Sequence, residues 1–234
     1  MMMARFPAAG VWLALSMGFG GSTPVHADSP ELVPVPASRL CVTEGALGSL
    51  PDARLSIEAA KLRAVLAATG PQAIEARFTY LGPTAEIAPL RSGAVRRQFG
   101  LKLRAADGCN LIYAMWRFAP EPALVVSVKS NPGVHTSRAC GNAGYVTVSP
   151  RRASPVAAPD IGTTRRLTAT LDGATLRVLI DGSLVWEGEL GPEAFAVDGP
   201  VGLRSDNVRL AVALLAPPDT TAGSCAKPND AGED

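Results

Sequence analysis

Catalysis by a nucleophile and a base has little to draw on in this chain. It carries two histidines, His26 and His135. The first falls in an N-terminal segment read below as removable, and His135 sits in a loop, where a surface histidine is expected. Neither a Gly-x-Ser-x-Gly elbow nor a HExxH zinc motif occurs. Glycoside hydrolysis needs two carboxylates held roughly 5–10 Å apart. The closest candidate is Glu187-Gly188-Glu189, whose acids would share one strand face. They stand at a hairpin end, where acids are usually just solvated, so no catalytic residue is assigned. For calcium, Asp206 and Asn207, or Asp198 or Asp160, could contribute oxygens, but no dense run such as DxDxDG is present. Asp206-Asn207 reads more simply as a turn pair before a final strand. No cofactor is expected.

Ligand binding without chemistry has better material. A sugar site needs an aromatic platform for the C–H face of the ring, with polar groups around it to fix the hydroxyls. Gln98 to Phe118 reads as a hairpin turning at Asp107-Gly108. A two-residue turn there sets Phe99 opposite Trp116, Leu101 opposite Ala114 and Leu103 opposite Ile112, a wholly apolar face. The other face then carries Gln98 opposite Arg117, Gly100 opposite Met115, Lys102 opposite Tyr113 and Arg104 opposite Leu111. A slip of one residue would mix the two sets, so the pattern supports the register. The candidate ligand residues are therefore Lys102, Arg104, Tyr113 and Arg117. A two-residue turn at Asp181-Gly182 would add Trp186, set opposite Arg177 on a face away from Val178 and Val185. Against this, Trp116 and Trp186 both suit a core, and aromatics make up only 5% of the chain.

The elements that must position these residues are strands. Arg165 to Leu214 is the most legible stretch. Leu167, Ala169 and Leu171 alternate, Leu176, Val178 and Ile180 pair back onto them, and Asp172-Gly173 and Asp181-Gly182 mark the turns of a β-meander. Val201 and Leu203, then Val208, Leu210, Val212 and Leu214, supply the last strands. Upstream, Glu75 to Leu81 is a strand with Ala76, Phe78 and Tyr80 on one face, and Gly82 to Ala94 is a long loop. Leu124, Val126 and Val128 form a third strand beside the hairpin, with Ser127 and Lys129 on its mixed face, and Tyr145 to Val148 is a short strand. Arg54 to Leu66 fits one helix face but also alternates, and two short strands are preferred. Many short strands between turn signals indicate an all-β chain folded as a two-sheet antiparallel β-sandwich.

The ends read differently. Arg5, the apolar run from Ala8 to Gly21 and the small-x-small site Val25-His26-Ala27 indicate a signal peptide over residues 1–27. Residues 28–38 form a proline-spaced linker, 39–215 a single sandwich domain and 216–234 a mostly disordered tail. Export to a secreted, periplasmic or extracellular location makes Cys41, Cys109, Cys140 and Cys225 two disulfides by default. Cys109–Cys140 and Cys41–Cys225 is the favoured pairing among three, because it joins neighbouring central segments and ties the two ends together. Removing Arg5 leaves 21 basic residues against 21 acidic ones. That balance argues against nucleic acid as a partner. No later segment is long and apolar enough for membrane insertion after signal cleavage.

Particular residues of the meander carry a resemblance. Arg166-Leu167, Leu176-Arg177-Val178, Ile180-Asp181-Gly182, Val185 and Gly188, followed by Gly202-Leu203-Arg204-Ser205-Asp206-Asn207, resemble the concanavalin A-like lectin/glucanase superfamily. The laminin G-like and keto-disaccharide hydrolase-type domains are the most similar. The resemblance implies a jelly-roll sandwich, with carbohydrate binding as the commonest non-catalytic role. Glucanases of that superfamily carry a Glu-x-Asp-x-x-Glu strand, which this chain lacks. The expected function is thus an exported non-catalytic binding module for carbohydrate, with a glycan as partner. The alternative is an envelope or extracellular protein-interaction domain that contacts an envelope protein, and a glycoside hydrolase is the least supported reading.

Overall fold

The computed structural model describes residues 31–196, 198–218, 221, 222 and 225, together with Met1. The expected signal peptide and most of the expected tail lie outside the described residues. In chain order the strands begin with β1 (Val33–Pro34), β2 (Leu40–Glu44), β3 (Gly48–Ser49), β4 (Leu55–Ile57), β5 (Lys61–Leu66), β6 (Ala68–Thr69) and β7 (Ala73–Pro83). The central group is β8 (Arg97–Leu103), β9 (Leu111–Ala119), β10 (Ala123–Lys129), β11 (Tyr145–Thr147) and β12 (Arg152–Ala153). The rest are β13 (Thr164–Asp172), β14 (Thr175–Ile180), β15 (Ser183–Glu189), β16 (Gly202–Asp206), β17 (Val208–Ala216) and β18 (Thr221–Ala222). Only one short α-helix, Ser137–Cys140, is present among the described residues.

Two antiparallel sheets form a sandwich. One has nine strands, in the order β12-β15-β14-β13-β7-β17-β4-β3 with β1 also on β17, and the other has seven, β11-β10-β9-β8-β16-β5-β2. Their inner faces meet in one apolar cluster. Phe78 from the larger sheet touches Phe99 and Trp116 from the smaller one, at ring-centroid distances of 4.9 and 5.8 Å. Alternation explains why: in β5 the burial pattern changes at every residue from Lys61 to Leu66, as a strand with one covered face requires. The preferred two strands over 54–66 are present, but β4 joins the larger sheet and β5 the smaller. The recognisable stretch is split in the same way. β13 to β15 form the expected meander, while β16 crosses to the smaller sheet before β17 returns.

Several expectations of detail change. The β8–β9 register is as read, from Gln98 opposite Arg117 to Leu103 opposite Ile112. It is not produced by a two-residue turn, because pairing stops at Leu103–Ile112 and residues 104–110 form a longer loop. In the first meander turn Asp172 pairs with Thr175, so Gly173-Ala174 occupies the turn rather than Asp172-Gly173. Val33 and Pro34, from the proline-spaced segment, lie beside Leu215 and Ala216, and Thr221 and Ala222 lie beside Ala68 and Thr69. Disulfides join Cys41 to Cys225 and Cys109 to Cys140, the pairing favoured from the sequence.

Candidate functional site

The outward face of the seven-stranded sheet collects the polar residues. From β8 come Gln98 and Lys102, from β9 Tyr113, Met115 and Arg117, from β16 Arg204 and Asp206, and from β5 Arg63. Each sits at an alternate position, because residues two apart on a strand share a face. Asp206 is the hub. It is fully buried, and one of its oxygens accepts from Arg63 Nη2 at 2.6 Å. The other accepts from Arg204 Nε at 2.9 Å and from Gln98 Nε2 at 2.7 Å. Burial works against the charged carboxylate, but Arg204, Arg63 and the Gln98 bond prevail and hold its pKa below the ordinary value. Burial likewise disfavours charge on Arg204, yet Tyr113, Asp206 and Tyr145 together raise its pKa. The pair is therefore ionised in the folded protein.

Aromatic rings flank this network. The Arg204 guanidinium lies 4.9 Å from the centre of the Tyr113 ring. Tyr113 is 5% exposed and stacks on Tyr145, which is 42% exposed, with centroids 6.2 Å apart and planes at 19°. Tyr145 reaches this place because β11 pairs with β10, setting Tyr145 beside Lys129, whose ammonium lies 5.1 Å from the tyrosine ring centre. The loop before β11 is held by the Cys109–Cys140 bridge and by Asn110, which donates to Val134 O and accepts from Asn131 N at 2.8 Å each.

Of the sequence candidates, Lys102, Tyr113 and Arg117 share the face. Arg104 and Trp186 do not. Arg104 has φ +47°, so the chain turns as it leaves β8. Its side chain donates to Ala194 O at 3.1 Å and lies over Phe195, on the loop before β16. Trp186 is 2% exposed and belongs to the core. The Asp181-Gly182 turn does pair Ile180 with Ser183, but a register shift between Val178 and Leu179 places Trp186 opposite Val178 and Arg177 opposite Glu187. One extra residue on the β15 side reverses the facing of everything beyond it. Trp116 is core as well, its indole N–H donating to Ala157 O at 3.0 Å.

The other candidates are engaged elsewhere. Glu187 accepts from Arg151 and Arg177 at 2.8 Å each, and those two bonds hold its pKa low. Glu189 accepts from Thr175. His135 is exposed and meets Asp107 at 2.8 Å. No group of three or more His, Cys, Asp or Glu side chains suited to a metal exists among the described residues. Asn207, with φ +56°, accepts from Ala88 N and donates to Ala88 O and Arg96 O, so it fastens the end of the 84–96 loop beside the charged face.

Sequence reasoning missed Asp206, Arg204, Arg63, Arg96 and Tyr145 as members of this face. Two shallow cavities lie away from it. One, of about 240 Å³, is lined by Glu75, Arg166 and Thr168 on the outside of the larger sheet. The other, of about 250 Å³, lies beside Trp116, Arg165 and Asp181. Their acids already have partners, Glu75 in Arg77 and Thr168 and Asp181 in Arg165.

No protein-family model matches the chain, and no curated protein matches it. Among solved structures it is similar to the carbohydrate-binding module CBM66 from Bacillus subtilis, with 12% identity over 75% of this chain and 92% of that one, at a TM-score of 0.52. The carbohydrate recognition domain of Emp46p (11% identity, 76% and 87% covered, TM-score 0.49) and the Caenorhabditis elegans galectin LEC-6 (13%, 72% and 99%, 0.42) also match. At such identities the likeness is one of fold. The chain has the two-sheet antiparallel β-sandwich architecture found in that carbohydrate-binding module.

Proposed function

We propose that this protein is an exported, non-catalytic binding module that recognises carbohydrate on the outward face of its seven-stranded sheet. The observation that carries the reading is the juxtaposition of the half-exposed Tyr145 ring, stacked on Tyr113, with the Arg204–Asp206–Gln98–Arg63 network. An aromatic face beside oriented polar groups is the arrangement that grips a pyranose ring. Within this reading the meander and closing strand belong to a laminin G-like or keto-disaccharide hydrolase-type form of the concanavalin A-like fold. A non-catalytic role fits the acids, since Glu187 and Asp206 are each engaged by arginines rather than free to move protons. Two disulfides suit an oxidising secreted or periplasmic compartment. No helix among the described residues is long and apolar enough to cross a membrane.

A glycan array with the purified protein tests the reading. Binding to a defined set of oligosaccharides, lost in Tyr145→Ala while the fold is retained, is the expected result. Absence of binding to any glycan would refute it and favour a role in contacting an envelope protein.

A further inference from the structure

We propose that this face takes an acidic glycan, whose carboxylate or sulfate groups lie along the line of cations from Lys102 past Arg204 to Arg117 and Arg96. The inference rests on the reading of the face as a carbohydrate site and names the class of sugar it takes.

Charge and unmet bonds on this face call for an anionic ligand. Cationic side chains gather here, among them Arg63, Arg96, Lys102, Arg117 and Arg204. One buried carboxylate, Asp206, serves them, and both its oxygens are taken by Arg63, Arg204 and Gln98. Among the described residues the other acid that reaches this group is the half-exposed Glu44, 3.5 Å from Arg63. Among the described residues the side chains of Arg96, Lys102 and Arg117 have no hydrogen bond or ion pair. Lys102 is nevertheless 5% exposed, and Arg117 Nε is buried without any acceptor.

A buried donor without a partner costs free energy, and so does gathering like charges. Arg96 shows the second cost: burial lowers its pKa, and Arg117 and Arg204 lower it further. A chain whose exported form has equal numbers of acids and bases has no general excess of cations to explain such a concentration. The missing element is a row of acceptors carrying negative charge, which a ligand would supply.

The spacing favours an oligomer over a single small anion. Lys102 lies opposite Tyr113, and Gln98 lies opposite Arg117, four residues along the same strands. The cations therefore extend over about 13 Å of sheet, longer than one sugar ring. Charge repeats along an acidic polysaccharide would meet them in succession. Tyr145 stands at the Lys102 end as the platform for a ring.

The test uses the purified protein against uronate oligosaccharides, sulfated oligosaccharides, the carboxyl-reduced neutral forms of the former, single-stranded DNA and inorganic sulfate. Binding to uronate or sulfated sugars, weakened roughly tenfold by either Arg117→Gln or Arg96→Gln, is expected, because each change removes one charge-assisted contact. The two acidic arms tell carboxylate from sulfate. Binding to neutral glycans alone, unchanged in Arg117→Gln, overturns the acidic class while leaving the carbohydrate reading intact. No glycan binding in any arm overturns both. Equal binding to DNA or displacement by inorganic sulfate at low concentration would show a generic anion surface and also overturn it. Should Arg117→Gln fail to fold, Arg96→Gln, on the neighbouring loop, keeps the test decisive.

Discussion

The outward faces of the two sheets are built from similar residues and solve their charge differently. On the nine-stranded sheet cations and acids alternate and meet at the surface, Arg77 with Glu75 and both Arg151 and Arg177 with Glu187. Those arginines are half exposed, and water shares the work of stabilising them. On the seven-stranded sheet Arg63 and Arg204 bury against Asp206, and among the described residues Lys102, Arg96 and Arg117 make no ion pair with an acid. The first arrangement is what solubility alone produces. The second is costly unless something else completes it, and such violations of local rules concentrate at functional sites.

The largest difference between the two faces is expected at Asp206. Asp206→Ala leaves Arg63 and Arg204 buried without their counter-charge, and a loss of about 3–5 kcal/mol in urea unfolding is expected. Glu75→Ala on the other sheet should shift the same curve far less, and equal losses would erase the distinction between the faces.

Next is Asn207→Ala, which removes three bonds to Ala88 and Arg96 at a position with positive φ. It should cost about 2 kcal/mol and loosen the 84–96 loop, seen as faster amide exchange there.

Lys102 sharpens the contrast through pH. Burial first, then Arg63 and Arg204, push its pKa down to about 7, with Glu44 and Asp206 opposing and Tyr113 beside it on β9. The unfolded chain, with lysine near 10.5, binds more protons than the folded one between pH 7 and 10.5, so stability contributed by this site rises with pH across that window. Lys102→Met should therefore stabilise the protein at pH 6 by on the order of 2 kcal/mol, an advantage that shrinks by pH 10. Parallel pH–stability curves for the two proteins would rule out a buried, strained lysine. The smallest effect on stability is expected for Tyr145→Ala, within about 0.5 kcal/mol, since the ring is half exposed.

Much of this was legible in the sequence, and the failures are instructive. The β8–β9 register followed from pleat alternation alone, and it held even though the connecting loop is longer than Asp107-Gly108 suggested. Alternation is a property of the whole strand pair, whereas the turn is a local detail. Trp186 was misplaced because a single bulge in β15 leaves no compositional trace and reverses the facing of the residues beyond it. Arg104 was misplaced because its positive φ ends the strand one residue early. Asp206 read as a turn residue since two of its three partners are remote, Arg63 by 143 positions and Gln98 by 108. Tyr145 joined the site only through the β10–β11 pairing. Contacts made by strand crossover are invisible to local patterns.

The most direct test sets the two faces against each other. Glycan binding would be measured by titration calorimetry for the wild type, for Tyr145→Ala, and for Arg166→Ala, which alters the shallow cavity on the outside of the larger sheet. Loss of binding in Tyr145→Ala with wild-type affinity in Arg166→Ala is the predicted result. Loss in Arg166→Ala with Tyr145→Ala unaffected would place the ligand on the other sheet and contradict the account.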